Sequence, residues 1–258
     1  MFNLFKQGSM LTGTEIYKQV KKGKISIDPF DESRINPNSY NLSLNKDICI
    51  YSRGSTNNRK DIVDSIYTKK IDYTDTKCKK LDDNADDNIK LSDYSNHIYH
   101  TINMNNSIAI ALDDSVAEMK NKYNEYMNLT PLDSKNPNDI IRFEIPEEGF
   151  ILHPGVIYIG RTNEKVSTDK FIPMINGRSS GGRLGLSIHI CAGFGDIGFS
   201  GTFTLEITVV EPLIIYPNME IAQVCFHTPY GKNDLLYRGK YYNQIEATPS
   251  KMSEDFNK

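Results

Sequence analysis

The chain has 258 residues and a formal net charge of −3, from 30 Lys and Arg against 33 Asp and Glu. That balance argues against a generalised basic surface for a nucleic-acid polymer, and the apolar runs are too short to span a bilayer. The four cysteines at 49, 78, 191 and 225 show no CxxC spacing, which points to a reduced, cytoplasmic protein.

MFNLFKQ lacks the apolar stretch of a signal peptide. Residues 1–9 fit equally a tag ending in Gly8-Ser9 before a start at Met10 and a native N-terminal extension. GTEIYKQVKK (13–22) predicts a short helix, with Thr14 as N-cap, Ile16 and Val20 at helical spacing, and Gly23 as the stop. KISIDPFDESRINPNSYNLSL (24–44) alternates in short runs broken by Pro29 and Pro37, which predicts strands with tight connections. Residues 53–139 are rich in Asn, Asp and Lys and poor in aliphatics, so they read as a polar insertion of long loops. Within it, INMNNSIAIALDDSVAEMKNKYNEYM predicts a strand and then a helix.

From 140 onward the texture is all-β. GFILHPGVIYIGRTNEKV places a Pro-Gly turn between two strands, and GTFTLEITVVEPLIIYPNMEIAQVCFHT places two more on either side of Pro-Asn. In TFTLEITV (202–209) alternation puts Phe203, Leu205, Ile207 and Val209 on one face and Thr202, Thr204, Glu206 and Thr208 on the other. The apolar face is core. Glu206 fits a solvent-facing carboxylate, the usual fate of Glu, and fits equally a general acid/base in a cleft.

NGRSSGGRLGLSIHICAGFGD (176–196) holds Arg178, Ser179, Ser180 and Arg183 among six glycines. It fits a solvated turn before a strand, and it fits one wall of an anion pocket. A short helix at about 178–185, with Ser179 or Ser180 near its N-cap, would put Ser179 and Arg183 on one face. Several signatures are absent: HxE with PCxxC, a GxxxxGK[ST] loop, HExxH and GxSxG. The histidines read as structural, apart from His189, which is kept as a substrate-binding candidate. Glu, Ser, Arg and water are left to carry any chemistry, with no zinc.

The residues resemble those of the dCTP deaminases, trimeric relatives of dUTP diphosphatase. The likeness runs through 23–44, 149–166 and FIPMINGRSSGGRLGLSIHICAGFGDIGFSGTFTLEI (171–207). It continues through YPNMEIAQVCFH and YRGKYYNQIEATPS (237–250), with 53–139 outside it. The resemblance implies a mainly β, dUTPase-like barrel or distorted jelly roll, forming a single domain over 10–258 with a C-terminal lid at 237–258. It implies Glu206 as the catalytic acid/base that takes a proton from water and delivers one to the departing amine. Ser179 and Arg183 would position the water and stabilise charge at C4. Ala192 would hold the base edge, Asp196 the deoxyribose, and Phe199 would pack against the sugar. Arg178 and Ser180 would lie on the phosphate side, and Lys240, Tyr241 and Gln244 in the segment closing over the triphosphate. It further implies Mg²⁺ bound through the substrate phosphates, a homotrimer with sites between subunits, and dTTP as a candidate inhibitor.

The departures are Gly181-Gly182 in place of bulkier residues, Cys191 for Thr and Ile197 for Pro. None removes a group the chemistry needs. The expected reaction is hydrolysis of dCTP to dUTP and ammonia. The alternative is a bifunctional enzyme giving dUMP and pyrophosphate. A plain dUTP diphosphatase lacks support, because only Gly231 and Gly239 follow residue 226 and no glycine-rich phosphate motif closes the chain. A non-catalytic nucleotide binder would have no need of Glu206.

Overall fold

The structure is a computed structural model and describes residues 10–52 and 130–256. The expectations for residues 1–9, and for 53–129 of the polar insertion with its strand and helix, lie outside the described residues.

The first helix, α1 (Gly13–Lys21), seats fully buried Ile16 in the core. Its N-cap is Thr12 and not Thr14. Thr12 has the extended backbone a cap requires, and its hydroxyl accepts the Glu15 N–H at 3.3 Å, whereas Thr14 already lies in the first turn. Gly23 ends the helix as expected, at a φ of +67° that side chains with a Cβ disfavour.

Strands follow in chain order. They are β1 (Ser26–Asp28), β2 (Tyr40–Ser43), β3 (Asp47–Tyr51), β4 (Ile140–Glu144), β5 (Phe150–Leu152), β6 (Tyr158–Ser167) and β7 (Ile172–Gly177). After the four-residue helix α2 (Ser179–Gly182) come β8 (Leu186–Ser187), β9 (Ser200–Val209), β10 (Leu213–Ile215) and β11 (Glu220–His227). The described residues are therefore mainly β, as expected. Three strands occupy 200–227 instead of two. The Val210 N–H still bonds across to Gly185 O at 3.1 Å, one step past the β8 pairing, and Pro212 has no N–H to continue a ladder.

The largest sheet runs β4-β3-β6-β9-β8, with β1 also paired to β6; a second runs β2-β11-β7, and β10 pairs with β5. Every named pairing is antiparallel. The main core includes fully buried Tyr40, Phe150 and Phe226, and burying each such side chain stabilises the fold by about 1.5–3 kcal/mol. β9 alternates as its sequence predicts, with Phe203, Leu205, Ile207 and Val209 all buried in this core. Thr202 lies on the opposite face with Thr204 and Glu206, and it is buried there because the C-terminal segment covers it.

Opposite β9, β6 carries an irregularity between Arg161 and Lys165. Glu164 lies within it on the buried side shared with Tyr158, Gly160, Thr162 and Val166, where its carboxylate accepts Arg34 Nη1, the Ser43 N–H at 2.9 Å and the Ser43 hydroxyl at 2.7 Å. The Thr162 hydroxyl accepts the Phe203 N–H at 3.0 Å within the same irregularity. No helix among the described residues is long and apolar enough to cross a membrane.

Candidate active site

β3, β6 and β9 set a row of side chains on the sheet face opposite the core. Cys49 pairs with Ile159, and Ile159 pairs with Glu206. Tyr51 lies on the same face two residues beyond Cys49. Over this face the residues from Tyr237 to Ser250 complete a cavity of about 320 Å³. Of the residues the sequence singled out, Glu206, Ala192, Asp196, Phe199, Tyr241 and Gln244 line it.

Glu206 is half-buried and not solvated on an open face. Its Oε2 accepts the Ile190 N–H at 2.8 Å, and its own N–H donates to Ile188 O at 2.9 Å. Segment 188–190 thus continues alongside β9 beyond the β8 pairing and holds one carboxylate oxygen. The other oxygen remains to serve a water or ligand. Downstream, the glycine-rich segment is pinned to the edge of β7. The Ile175 N–H donates to Gly193 O, and the Gly195 N–H donates to Pro173 O at 2.7 Å. This sets Ala192 and Asp196 at the cavity. The Asp196 carboxylate has no hydrogen-bond or ion-pair partner among the described residues. Phe199 stacks on Phe203 at 5.3 Å between ring centroids and approaches Tyr237 at 6.3 Å, giving the cavity an aromatic end.

The C-terminal segment is tied down along its length. Tyr237 N–H donates to Ile197 O, Asn243 N–H to Ser200 O, and Thr202 N–H to Gln244 O. Gln244 Nε2 donates to Thr202 O at 2.9 Å and to Thr204 Oγ1 at 3.1 Å. Its Oε1 is buried without a hydrogen-bond partner, as is Thr202 Oγ1. The Tyr241 hydroxyl accepts the Lys251 N–H at 2.9 Å.

The remaining sequence candidates stand apart from this cavity. Ser179 and Ser180 open α2 and Arg183 closes it, all three exposed, and Arg178 is the N-cap with no side-chain cap bond. Arg178 holds the extended backbone of the N-cap, so Ser179 and Ser180 sit next to the cap, in the first turn. Arg178 Nη1 is paired with the Glu220 carboxylate at 2.6 Å and with Glu220 O at 3.1 Å. His189 is half-buried, its carbonyl accepting the Ser187 hydroxyl at 3.0 Å. Lys240 donates to Asp255 Oδ2 at 2.6 Å and to Lys251 O at 3.0 Å. That Asp255 bond holds the Lys240 ammonium above its ordinary pKa. Tyr51, Thr204 and Ser250 also line the cavity and were missed. The signal was DICIY, a strand apolar on both faces, which demands cover on both. Among the described residues, no group of three or more His, Cys, Asp or Glu is placed to hold a metal ion.

A family model described as dCTP deaminase-like matches residues 10–86 and 73–228. The chain is 38% identical over 249 residues to “dCTP deaminase, dUMP-forming” of Clostridium beijerinckii, covering 96% of this chain and 99% of that relative. It is 37% identical over 249 residues to the enzyme of that name from Clostridium botulinum strain Alaska E43, with the same coverage. It is 33% identical over 249 residues to that of Leptospira biflexa, again covering 96% and 99%. These matches run across 53–139, the span set apart above as outside the likeness. Among solved structures, the 2′-deoxycytidine 5′-triphosphate deaminase of Agrobacterium tumefaciens matches at a TM-score of 0.46 and 13% identity. That match covers 87% of this chain, which spans 49% of the solved one. The native EIAV dUTPase matches at a TM-score of 0.29 and 18% identity, covering 37% of this chain and 80% of the solved one.

These relatives correct the expectation of a deaminase that stops at dUTP, since all three are named dUMP-forming. The physical reason is that the motifs around Glu206 describe attack at the base and carry no information about a second water at the phosphates. The chain belongs to the dCTP deaminase-like family.

Proposed function

We propose that this chain converts dCTP and two waters to dUMP, ammonia and pyrophosphate. The observation that carries this reading is the cavity beside β9, which places two carboxylates, Glu206 and Asp196, on one lining with an aromatic end at Phe199. Glu206, with Oε2 held by the Ile190 N–H, takes a proton from the water that attacks C4. It passes that proton to the ring nitrogen, then carries the hydroxyl proton of the tetrahedral C4 to the departing amine as the C4 carbonyl forms. Ala192 meets the base edge through its backbone, and Phe199 packs on the deoxyribose. Asp196, at the sugar end, is the second carboxylate available, and it orients the water that attacks the α-phosphorus as pyrophosphate leaves.

Ser179 and Arg183 serve the neighbouring chain's site in a homotrimer. Supporting this, Leu184 next to α2 and Val210 just past β9 are exposed, as are Ile190 and Phe194 on the segment after β8. Exposed large apolar side chains of this kind mark an interaction surface. Ser180, and Arg178 on exchanging Glu220 for phosphate, lie on the triphosphate side, with His189 beside the base-binding loop. Lys240, Tyr241 and Gln244 belong to the closing segment. Mg²⁺ arrives on the triphosphate oxygens and neutralises their charge. dTTP shares the sugar and triphosphate and lacks the amine, so it fits as an inhibitor. A reducing, cytoplasmic location accommodates Cys49, Cys191 and Cys225 as free thiols.

The test is incubation with dCTP and Mg²⁺, separation of products by anion exchange, and the native mass. Ammonia, dUMP and pyrophosphate rising together from a particle of three chains is the expected result. Stoichiometric dUTP with no dUMP overturns the reading.

A further inference from the structure

β3 contributes to the cavity from outside every motif named above. Its outward residues Cys49 and Tyr51 join Ile159 and Ala247 in a hydrophobic cluster separate from the main core, with Ile140 and Ile157 packed against it. Ala247 comes from the C-terminal segment and is fully buried there. Cys49 Sγ lies 4.0 Å from Ala247 O, and the Tyr51 hydroxyl accepts the Ser250 N–H at 3.0 Å. Outside the cluster, the exposed Arg142–Glu246 pair at 3.6 Å adds little. The segment is therefore fastened at both ends of the cavity, by Gln244 on β9 and by Tyr51 on β3. Tyr51, Glu206, Gln244 and Ser250 line the same space. Burial pushes the Tyr51 phenol above its ordinary pKa, so it stays protonated across the neutral range.

We propose that Tyr51 is a positioning residue for this site: its ring and hydroxyl hold strap 244–250 across the cavity beside Glu206. The strap then forms one wall and keeps bulk water from the carboxylate. This inference rests on the function proposed above, since it assigns the strap to a nucleotide site. Tyr51 touches no reacting atom and acts through the placement of Ala247 and Ser250. Its ring supplies the apolar footing, and its oxygen sets the height at which Ser250 crosses.

The test compares Tyr51→Phe, which keeps the ring and removes the acceptor, with Ser250→Pro, which removes the donor, and with the double variant. Each single change is expected to raise KM for dCTP by about fivefold, the worth of one net hydrogen bond. kcat should move less than about twofold. Because both changes break the same Ser250 N–H to Tyr51 hydroxyl bond, and Ser250→Pro also removes the hydroxyl that accepts the Met252 N–H at 3.2 Å, the double variant should be no worse than Ser250→Pro alone. Carboxypeptidase release of the C-terminal residues should quicken in parallel, which a purely structural role in the main core would not produce. Multiplicative KM effects, or unchanged KM and unchanged carboxypeptidase release in Tyr51→Phe, overturn the proposal. If the unaltered chain leaves dCTP intact, the function fails instead, and carboxypeptidase release alone still decides whether Tyr51 fastens the strap.

Discussion

Glu206 Oε2 accepts the backbone N–H of Ile190 at 2.8 Å, so one hydrogen bond joins the only acid of β9 to the segment that leads into Ala192. An exposed carboxylate would be free to sample rotamers. This one has a single oxygen committed and the other left for chemistry.

Glu206→Gln tests that assignment. The amide keeps the size of the side chain and a carbonyl oxygen for Ile190 but cannot take a proton. General acid/base catalysis contributes about 10²–10⁴-fold, so kcat for deamination should fall by at least about 10²-fold. Nucleotide affinity, measured by calorimetry, should change only a few-fold. Near-normal turnover would falsify the role of Glu206.

Asp196→Asn separates the two hydrolytic steps. Asp196 and Glu206 are the two carboxylates lining the cavity among the described residues, and the proposed reaction commits Glu206 to C4. Removing the charge at 196 should leave ammonia release within about tenfold and suppress pyrophosphate release more strongly, so dUTP accumulates. Equal loss of both products would place Asp196 in sugar binding alone.

Alternation made the β9 face legible: Phe203, Leu205, Ile207 and Val209 are buried where period two puts them, and Glu206 stands on the other side. The same rule put Thr202 on that other side but could not show its burial, because what covers it is Gln244, 42 residues away in the chain. Local capping preference named Thr14, while Thr12 holds the extended backbone. That choice depends on where the preceding chain enters, which composition does not encode. Tyr51 was invisible for a different reason. Its partner Ser250 lies 199 residues on, and no local spacing marks such a pair.

Glu164→Gln is a stability test away from the cavity. Glu164 is fully buried and accepts Arg34 Nη1, the Ser43 N–H and the Ser43 hydroxyl. The amide would bring an N–H₂ against these donors and leave Arg34 with only the longer Asp31 contact at 3.8 Å. Breaking a buried pair costs about 3–5 kcal/mol. The urea midpoint should fall accordingly at an unchanged slope. An unmoved midpoint would show that the pair contributes nothing net.

Thiol labelling has a definite pH direction. Burial pushes the Cys49 and Cys225 thiols above their ordinary pKa, so at any neutral or mildly alkaline pH they carry less thiolate than a free cysteine. Cys191 is exposed, next to Ala192 at the cavity. In a Cys78→Ser variant at pH 8, Cys191 should react first with an alkylating reagent, and bound nucleotide should slow it. Cys49 and Cys225 should follow only on denaturation. Fast labelling of Cys49 in the native protein would mean that Ala247 does not cover it.

Lys240 offers the most direct probe of the closing segment. Its ammonium sits 2.6 Å from Asp255 Oδ2, and a carboxylate so close competes with any phosphate for the same charge. The pair raises the Lys240 pKa, so the charge persists throughout the neutral range and is lost only as pH rises through that raised value. Asp255→Asn removes the competitor and keeps the ammonium. KM for dCTP should therefore fall about two- to fivefold at low ionic strength. The gain should shrink with added salt as exposed charges are screened, and it should stay level between pH 7 and 9. Lys240→Met in the same background should abolish the gain. A lowered KM that survives Lys240→Met would locate the effect of Asp255 elsewhere, and an unchanged KM would leave Lys240 as a fastener of residues 251–255 rather than a phosphate ligand.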